Sequence, residues 1–85
     1  MTSELDNWYA TDEGLCRNFM YFFVEIFIGS SHHLIVYDSN LDTAEYDFDS
    51  FSEAVYFANK YVNRCFTLDE VKSKHKEMIL KIGGF

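Results

Sequence analysis

Residues 18–28 read N-F-M-Y-F-F-V-E-I-F-I, and Gly29-Ser30-Ser31 follow. The run is dense in β-branched and aromatic side chains and stops at turn residues, which predicts a strand entering a hairpin. Successive side chains of a strand point to opposite faces. Met20, Phe22, Val24, Ile26 and Ile28 therefore share one face. Phe19, Tyr21, Phe23 and Phe27 share the other, with Glu25 among them. An antiparallel sheet covered on one side needs only one apolar face. The aliphatic face is assigned to a helical layer. The aromatic face then needs a cover of its own: the N-terminal segment with Trp8, a second copy of the chain, or a foreign partner. Cover by the chain itself is the expected arrangement.

Downstream, His33 to Tyr37 forms the returning strand. Asp38 to Asp42 is turn chemistry, because Asp, Ser and Asn side chains bond nearby backbone groups. Thr43 to Phe48 alternates cleanly, with Ala44, Tyr46 and Phe48 on one face and Thr43, Glu45 and Asp47 on the other. Two helices follow. Ser50 with Glu53, and Thr67 with Glu70, each form an S/T-x-x-E capping box. Phe51, Ala54, Val55, Ala58, Tyr61, Val62 and Cys65 recur at helical period behind the first. Leu68, Val71, His75, Met78, Ile79 and Ile82 do so behind the second, and Gly83-Gly84 supplies its stop. Upstream, Ser3, Leu5, Trp8 and Tyr9 have the spacing of a short helix within residues 2–16, ended by Gly14. The expected architecture is α+β. A three-stranded antiparallel meander carries two C-terminal helices on one face and a short N-terminal helix.

The chain has 85 residues, which fits a single domain spanning 1–85. Its net charge of −7 is unevenly spread. Residues 1–58 carry eleven carboxylates against Arg17 alone, whereas residues 59–85 carry six basic residues and three acidic ones. An acidic body repels nucleic acid and anionic lipid and attracts basic surfaces in a salt-dependent way. The start, MTSELDNWYA, has neither the basic nor the apolar segment of a signal peptide. The longest apolar run is too short to span a bilayer. A cytoplasmic protein with Cys16 and Cys65 as reduced thiols is expected, a disulfide between them being the lesser alternative.

The acidic residues cluster at 38–49, D-S-N-L-D-T-A-E-Y-D-F-D. Asp38, Asn40, Asp42 and Asp49 fall where a calcium loop places ligands. Thr43, however, stands where that loop needs glycine, and Asp49 is shorter than the bidentate Glu. A polar turn followed by a charged strand explains the segment better, and no metal or cofactor is assigned. Glu45 and Asp47 project from one strand face about 6.7 Å apart, with Asp49 continuing the stripe. That separation is comparable to the spacing of phosphates along a nucleic-acid strand. Asp38, Asp42 and Glu53 extend the patch, and Tyr37 and Tyr56 supply aromatic anchors. Charge on an edge strand also guards against aggregation, but a field of one sign is costly through self-repulsion.

Other candidates are weaker. His32 and His33 point to opposite faces of a strand and cannot chelate one ion together. The spacing of Cys16, a histidine and Cys65 matches no zinc module. Lys72, Lys74, Lys76 and Lys81 suit an ordinary solvated helix face, with Glu70–Lys74 and Glu77–Lys81 in the favourable order. His75 reads as a partly buried, hydrogen-bonded residue of the last helix. No nucleophile elbow, P-loop, dinucleotide fingerprint or H-E-x-x-H occurs.

In size, charge and aromatic content the chain resembles the small acidic inhibitors that phages encode against host defences, the anti-CRISPR and anti-restriction proteins. It is similar in the same respects to immunity proteins that neutralise nuclease toxins. That likeness involves no motif and carries over no residue roles. It implies a non-enzymatic inhibitor that occupies a basic, nucleic-acid-binding or nuclease site on a larger protein, with no membrane or direct nucleic-acid contact. The alternatives are an immunity or antitoxin-like protein, a metal- or ligand-sensing regulator built on 38–49, and a structural homo-oligomer, a homodimer being its simplest form, built on the aromatic sheet face.

Overall fold

The run at 18–28 is divided by a turn, and that division changes the sheet. In the computed structural model, which describes residues 6–82, five strands form one antiparallel sheet. They are β1 (Tyr9–Ala10), β2 (Gly14–Asn18), β3 (Phe23–Ile28), β4 (His32–Tyr37) and β5 (Thr43–Phe48). Each pairs with its neighbour in sequence, in the order β1-β2-β3-β4-β5. The expected three strands are thus five. At the break, the Phe19 N–H donates to the Phe22 carbonyl (2.7 Å) and Asn18 pairs with Phe23, closing a tight hairpin. Met20 and Tyr21 at its tip lack the Gly, Asn, Asp or Pro that marks such a turn, so no local chemistry announces it.

The expected N-terminal helix is replaced, over the described residues from Asp6 onward, by β1 and the start of β2. Ser3 and Leu5 lie outside the described residues. Thr11 explains the reversal: its hydroxyl oxygen accepts from the N–H groups of Glu13 (3.3 Å) and Gly14 (3.0 Å), and the Thr11 N–H donates to the Gly14 carbonyl. Gly14 starts a strand rather than ending a helix. A Cβ there would run into the Ile26 carbonyl oxygen, so only glycine lets β2 approach β3 this closely.

Beyond the meander come α1 (Phe51–Lys60), a single 3₁₀ turn (Val62–Arg64) and α2 (Leu68–Ile82). Both caps form. Ser50 Oγ accepts from the Glu53 N–H (3.2 Å), and Thr67 Oγ1 accepts from the Glu70 N–H (3.2 Å). Glu70 in turn accepts from the Phe66 N–H, so it caps the helix rather than pairing with Lys74, whose partner is Glu77 (3.2 Å). The side chain of Lys81, the Glu77–Lys81 pair and the Gly83-Gly84 stop lie outside what is described. The first helix ends at Lys60, short of Cys65, whose thiol donates to the Tyr61 carbonyl (3.1 Å). Cys16 and Cys65 are both free thiols, and burial pushes the Cys65 thiol up.

The helices lie on one sheet face. Phe22, Val24, Ile26, Leu34, Val36, Ala44 and Phe48 meet Ala54, Val55, Phe57, Ala58, Val62, Val71 and Met78 in one core. Phe57, fully buried and the largest side chain in that state, sits at its centre. Full burial of such a side chain contributes roughly 1.5–3 kcal/mol. Trp8 is buried on this same side. Its indole N–H donates to Asn59 Oδ1 (2.9 Å), which also accepts from Arg17 Nη1 (2.7 Å), tying the first two strands to α1. Phe19 packs against Trp8, and Tyr21 against Phe66, so both belong to the helical side and not to the aromatic face the uninterrupted strand assigned them. No described helix is long and apolar enough to cross a membrane.

Candidate interaction face

The opposite sheet face follows from register alone. One cross-strand row runs Tyr9, Cys16, Glu25, Ile35, Glu45. A second runs Gly14, Phe27, His33, Asp47, and a third Asn18, Phe23, Tyr37, Thr43. No described segment covers these rows. Trp8, the expected intramolecular cover, is committed to the other side. The centre of the face is apolar and half-buried by its own neighbours: Phe23, Phe27, Ile35 and Tyr37. Phe23 and Tyr37 pack ring to ring (6.0 Å). Toward β5 the face becomes exposed and acidic, with Glu45 and Asp47. Among the described residues it presents no lysine or arginine.

One hydrogen-bonded group, around His33, organises its charge. Burial, and then the nearby Glu25 carboxylate, push the Tyr37 phenol up. His33 lies directly opposite Asp47 in the β4–β5 ladder. Its Nε2 stands 2.8 Å from Glu45 Oε1 and its Nδ1 2.8 Å from Asp47 Oδ1. Bonds to Glu45 and then Asp47 raise the His33 pKa above the ordinary histidine value. The bond from His33 lowers that of Asp47, and the Ser31 hydroxyl donates to the same oxygen (3.3 Å).

The other sequence candidates fall into three places. Asp38 and Asp42 sit in the β4–β5 turn. There one Asp38 oxygen accepts from the N–H groups of Asn40 (2.9 Å) and Asp42 (3.0 Å), so this carboxylate builds the turn. Leu41 in that turn holds a left-handed φ of 66° with its side chain exposed, and it borders a shallow hollow with Phe23, Glu25, Tyr37 and Asp38. Asp49 and Glu53 lie at the far end of β5, beside Asp47, around a recess floored by Phe48, His75 and Met78. Tyr56 is on the outward side of α1, against Tyr61 and under Lys60 (5.6 Å), away from the open face.

This placement dismantles the calcium loop. β5 separates Asp42 from Asp49 by its whole length, about 20 Å for six extended residues. Among the described residues no three His, Cys, Asp or Glu side chains gather as a metal site. His75 is held by rings rather than hydrogen bonds: it stacks on Tyr46 (3.7 Å) and meets Phe57 and Phe48 edge-on, and burial lowers its pKa.

Sequence reasoning paired Glu45 with Asp47 but missed His33 between them. The signal was available. A turn over 38–42 that pairs Tyr37 with Thr43 places His33 opposite Asp47 four residues back along the ladder. No protein-family model matches the chain, and no curated protein or solved structure gives a significant match.

Proposed function

We propose that the chain is a non-enzymatic binding protein that docks its open sheet face on a basic surface of a larger protein. One observation carries this reading. The face opposite the helices has an apolar centre with no described cover, and its exposed edge carries carboxylates without a described lysine or arginine. Apolar area supplies affinity, and a rim of one charge selects the partner and speeds encounter. Phe23, Phe27 and Ile35 are the contact centre. Glu45 and Asp47 meet the partner's arginines or lysines, with Asp49 and Glu53 extending the rim at one end and Asp42 at the other.

In its most concrete form the partner surface is a nucleic-acid-binding or nuclease site. The spacing of Glu45 and Asp47 along β5 supports that form, because groups built to grip successive phosphates can grip this pair. The chain then acts as the phage-encoded anti-defence inhibitors and nuclease immunity proteins do, by occupying the site. A second copy of the chain fits less well. It would lay these carboxylates against a face with no described lysine or arginine, whose His33 is already engaged by its own carboxylates, so light scattering after size exclusion should return a monomer.

The test is affinity capture from the native host with the wild-type chain and with the double variant Glu45→Lys/Asp47→Lys. The expected result is a partner that the wild type retains at low salt, that nucleic acid displaces, and that the variant loses while its circular dichroism is unchanged. Equal retention by the variant refutes the acidic rim as the contact.

A further inference from the structure

His33 offers both ring nitrogens to carboxylate oxygens at 2.8 Å. A neutral imidazole has one N–H and one lone pair, so it can donate to only one of them; an imidazolium donates to both. The geometry is therefore that of the charged ring, clamping Glu45 and Asp47 together. We infer that His33 is the positioning residue of the docking face, and that a cationic partner engages Glu45 and Asp47 in exchange for the His33 proton, which passes to solvent. This rests on the docking reading above.

The surroundings favour such an exchange. Facing His33 from β5 are Glu45 and Asp47, and Ser31 bonds the latter. One row away on β3 is Glu25, and beyond it on β2 is the Cys16 thiol. No described cation on this face competes with the ring. The two carboxylates already keep the imidazolium above the ordinary histidine range. An arginine brought to those carboxylates supplies positive charge in place of the ring's and repels it, so the ring gives up its proton more readily. By linkage, whatever lowers proton affinity on binding makes binding tighter as pH rises. His33 thus has two effects. It holds the carboxylates as a prepared pair, and at lower pH it masks them.

The experiment uses the full chain and a hexa-arginine peptide as the cationic probe at low salt. Histidine ring NMR follows His33 with and without peptide, and calorimetry in two buffers of different ionisation heat counts protons released. In the free protein, His33 should titrate above a histidine in an unstructured peptide and fall back in Glu45→Gln/Asp47→Asn. Peptide should move that titration down. Its affinity should rise with pH toward the ceiling of about tenfold per pH unit that one proton sets. In His33→Gln this dependence should be flat. A peptide bound on β4 and β5 with the same affinity and no proton release across the range overturns the inference and leaves the docking reading standing. A peptide that fails to bind at any pH, with His33 titrating high, overturns the docking reading and the exchange together.

Discussion

The two faces of one sheet are built from the same strands and end differently. Toward the helices, Val24, Ile26, Leu34 and Val36 are sealed from solvent. Its polar groups there are few, and Arg17 and Trp8 share the single oxygen of Asn59. On the other side, Phe23, Phe27 and Ile35 stop at half burial and give way to carboxylates gripped by a histidine. The first face uses apolar area to hold the fold. The second leaves apolar area without a described cover and borders it with negative charge. An open aromatic surface is therefore compatible with stability when the opposite face carries the core by itself.

The sharpest way to break this contrast is to truncate one phenylalanine on each side. Phe57→Ala should cost about 3–5 kcal/mol in urea unfolding, as a large core deletion does. Phe27→Ala should cost about 1 kcal/mol or less, the scale of a cross-strand contact on an exposed face, while weakening partner binding. Equal losses would mean that the second face is covered after all. A smaller effect tests the tie between strands and helix. Asn59→Ala strands the Trp8 N–H and one Arg17 donor, and should cost about 1–3 kcal/mol. Wild-type stability in that variant would show the oxygen to be dispensable.

The smallest effect is one of pH, with opposite signs on the two faces. His33 has a raised pKa, so its stabilisation is complete below the ordinary histidine value of about 6.5 and is lost as pH climbs through the raised one. His75 is lowered by burial, so its contribution is complete above about 6.5 and is lost as pH falls through the lowered value. Denaturation midpoints between pH 5 and 8 should therefore move in opposite directions when His33→Gln and His75→Gln are each compared with wild type. Parallel profiles would show that the two rings share one environment.

Much of this arrangement is legible in the chain. β5, the hairpin at Gly29-Ser30-Ser31 and both helix caps follow from period and turn chemistry, and Glu45 and Asp47 share a face by strand alternation. What escaped has local causes. Met20-Tyr21 turns without turn residues, so the turn and β3 read as one strand, and strand alternation assigns Phe19 and Tyr21 to the wrong side. Gly14 is a residue of close approach but looks like a helix stop when the neighbouring strand is unknown. The helical spacing of Trp8 and Tyr9 from Leu5 is coincidence, since Trp8 packs into the core while Tyr9, in β1, pairs with Cys16 on the open face. Phe57, fully buried, went unmarked in the helical stripe although it sits three residues after Ala54. His33 needed the ladder rather than the composition, because its partners come from the next strand.

The unbroken strand order has a last consequence, for the speed of assembly. Every strand partner lies just across a loop of a few residues, so each closure costs little entropy and no strand waits for a distant one. The meander can zip from any hairpin, which exposes its bare aromatic side from the earliest moments. During that interval a net charge of −7 keeps nascent molecules from stacking on one another.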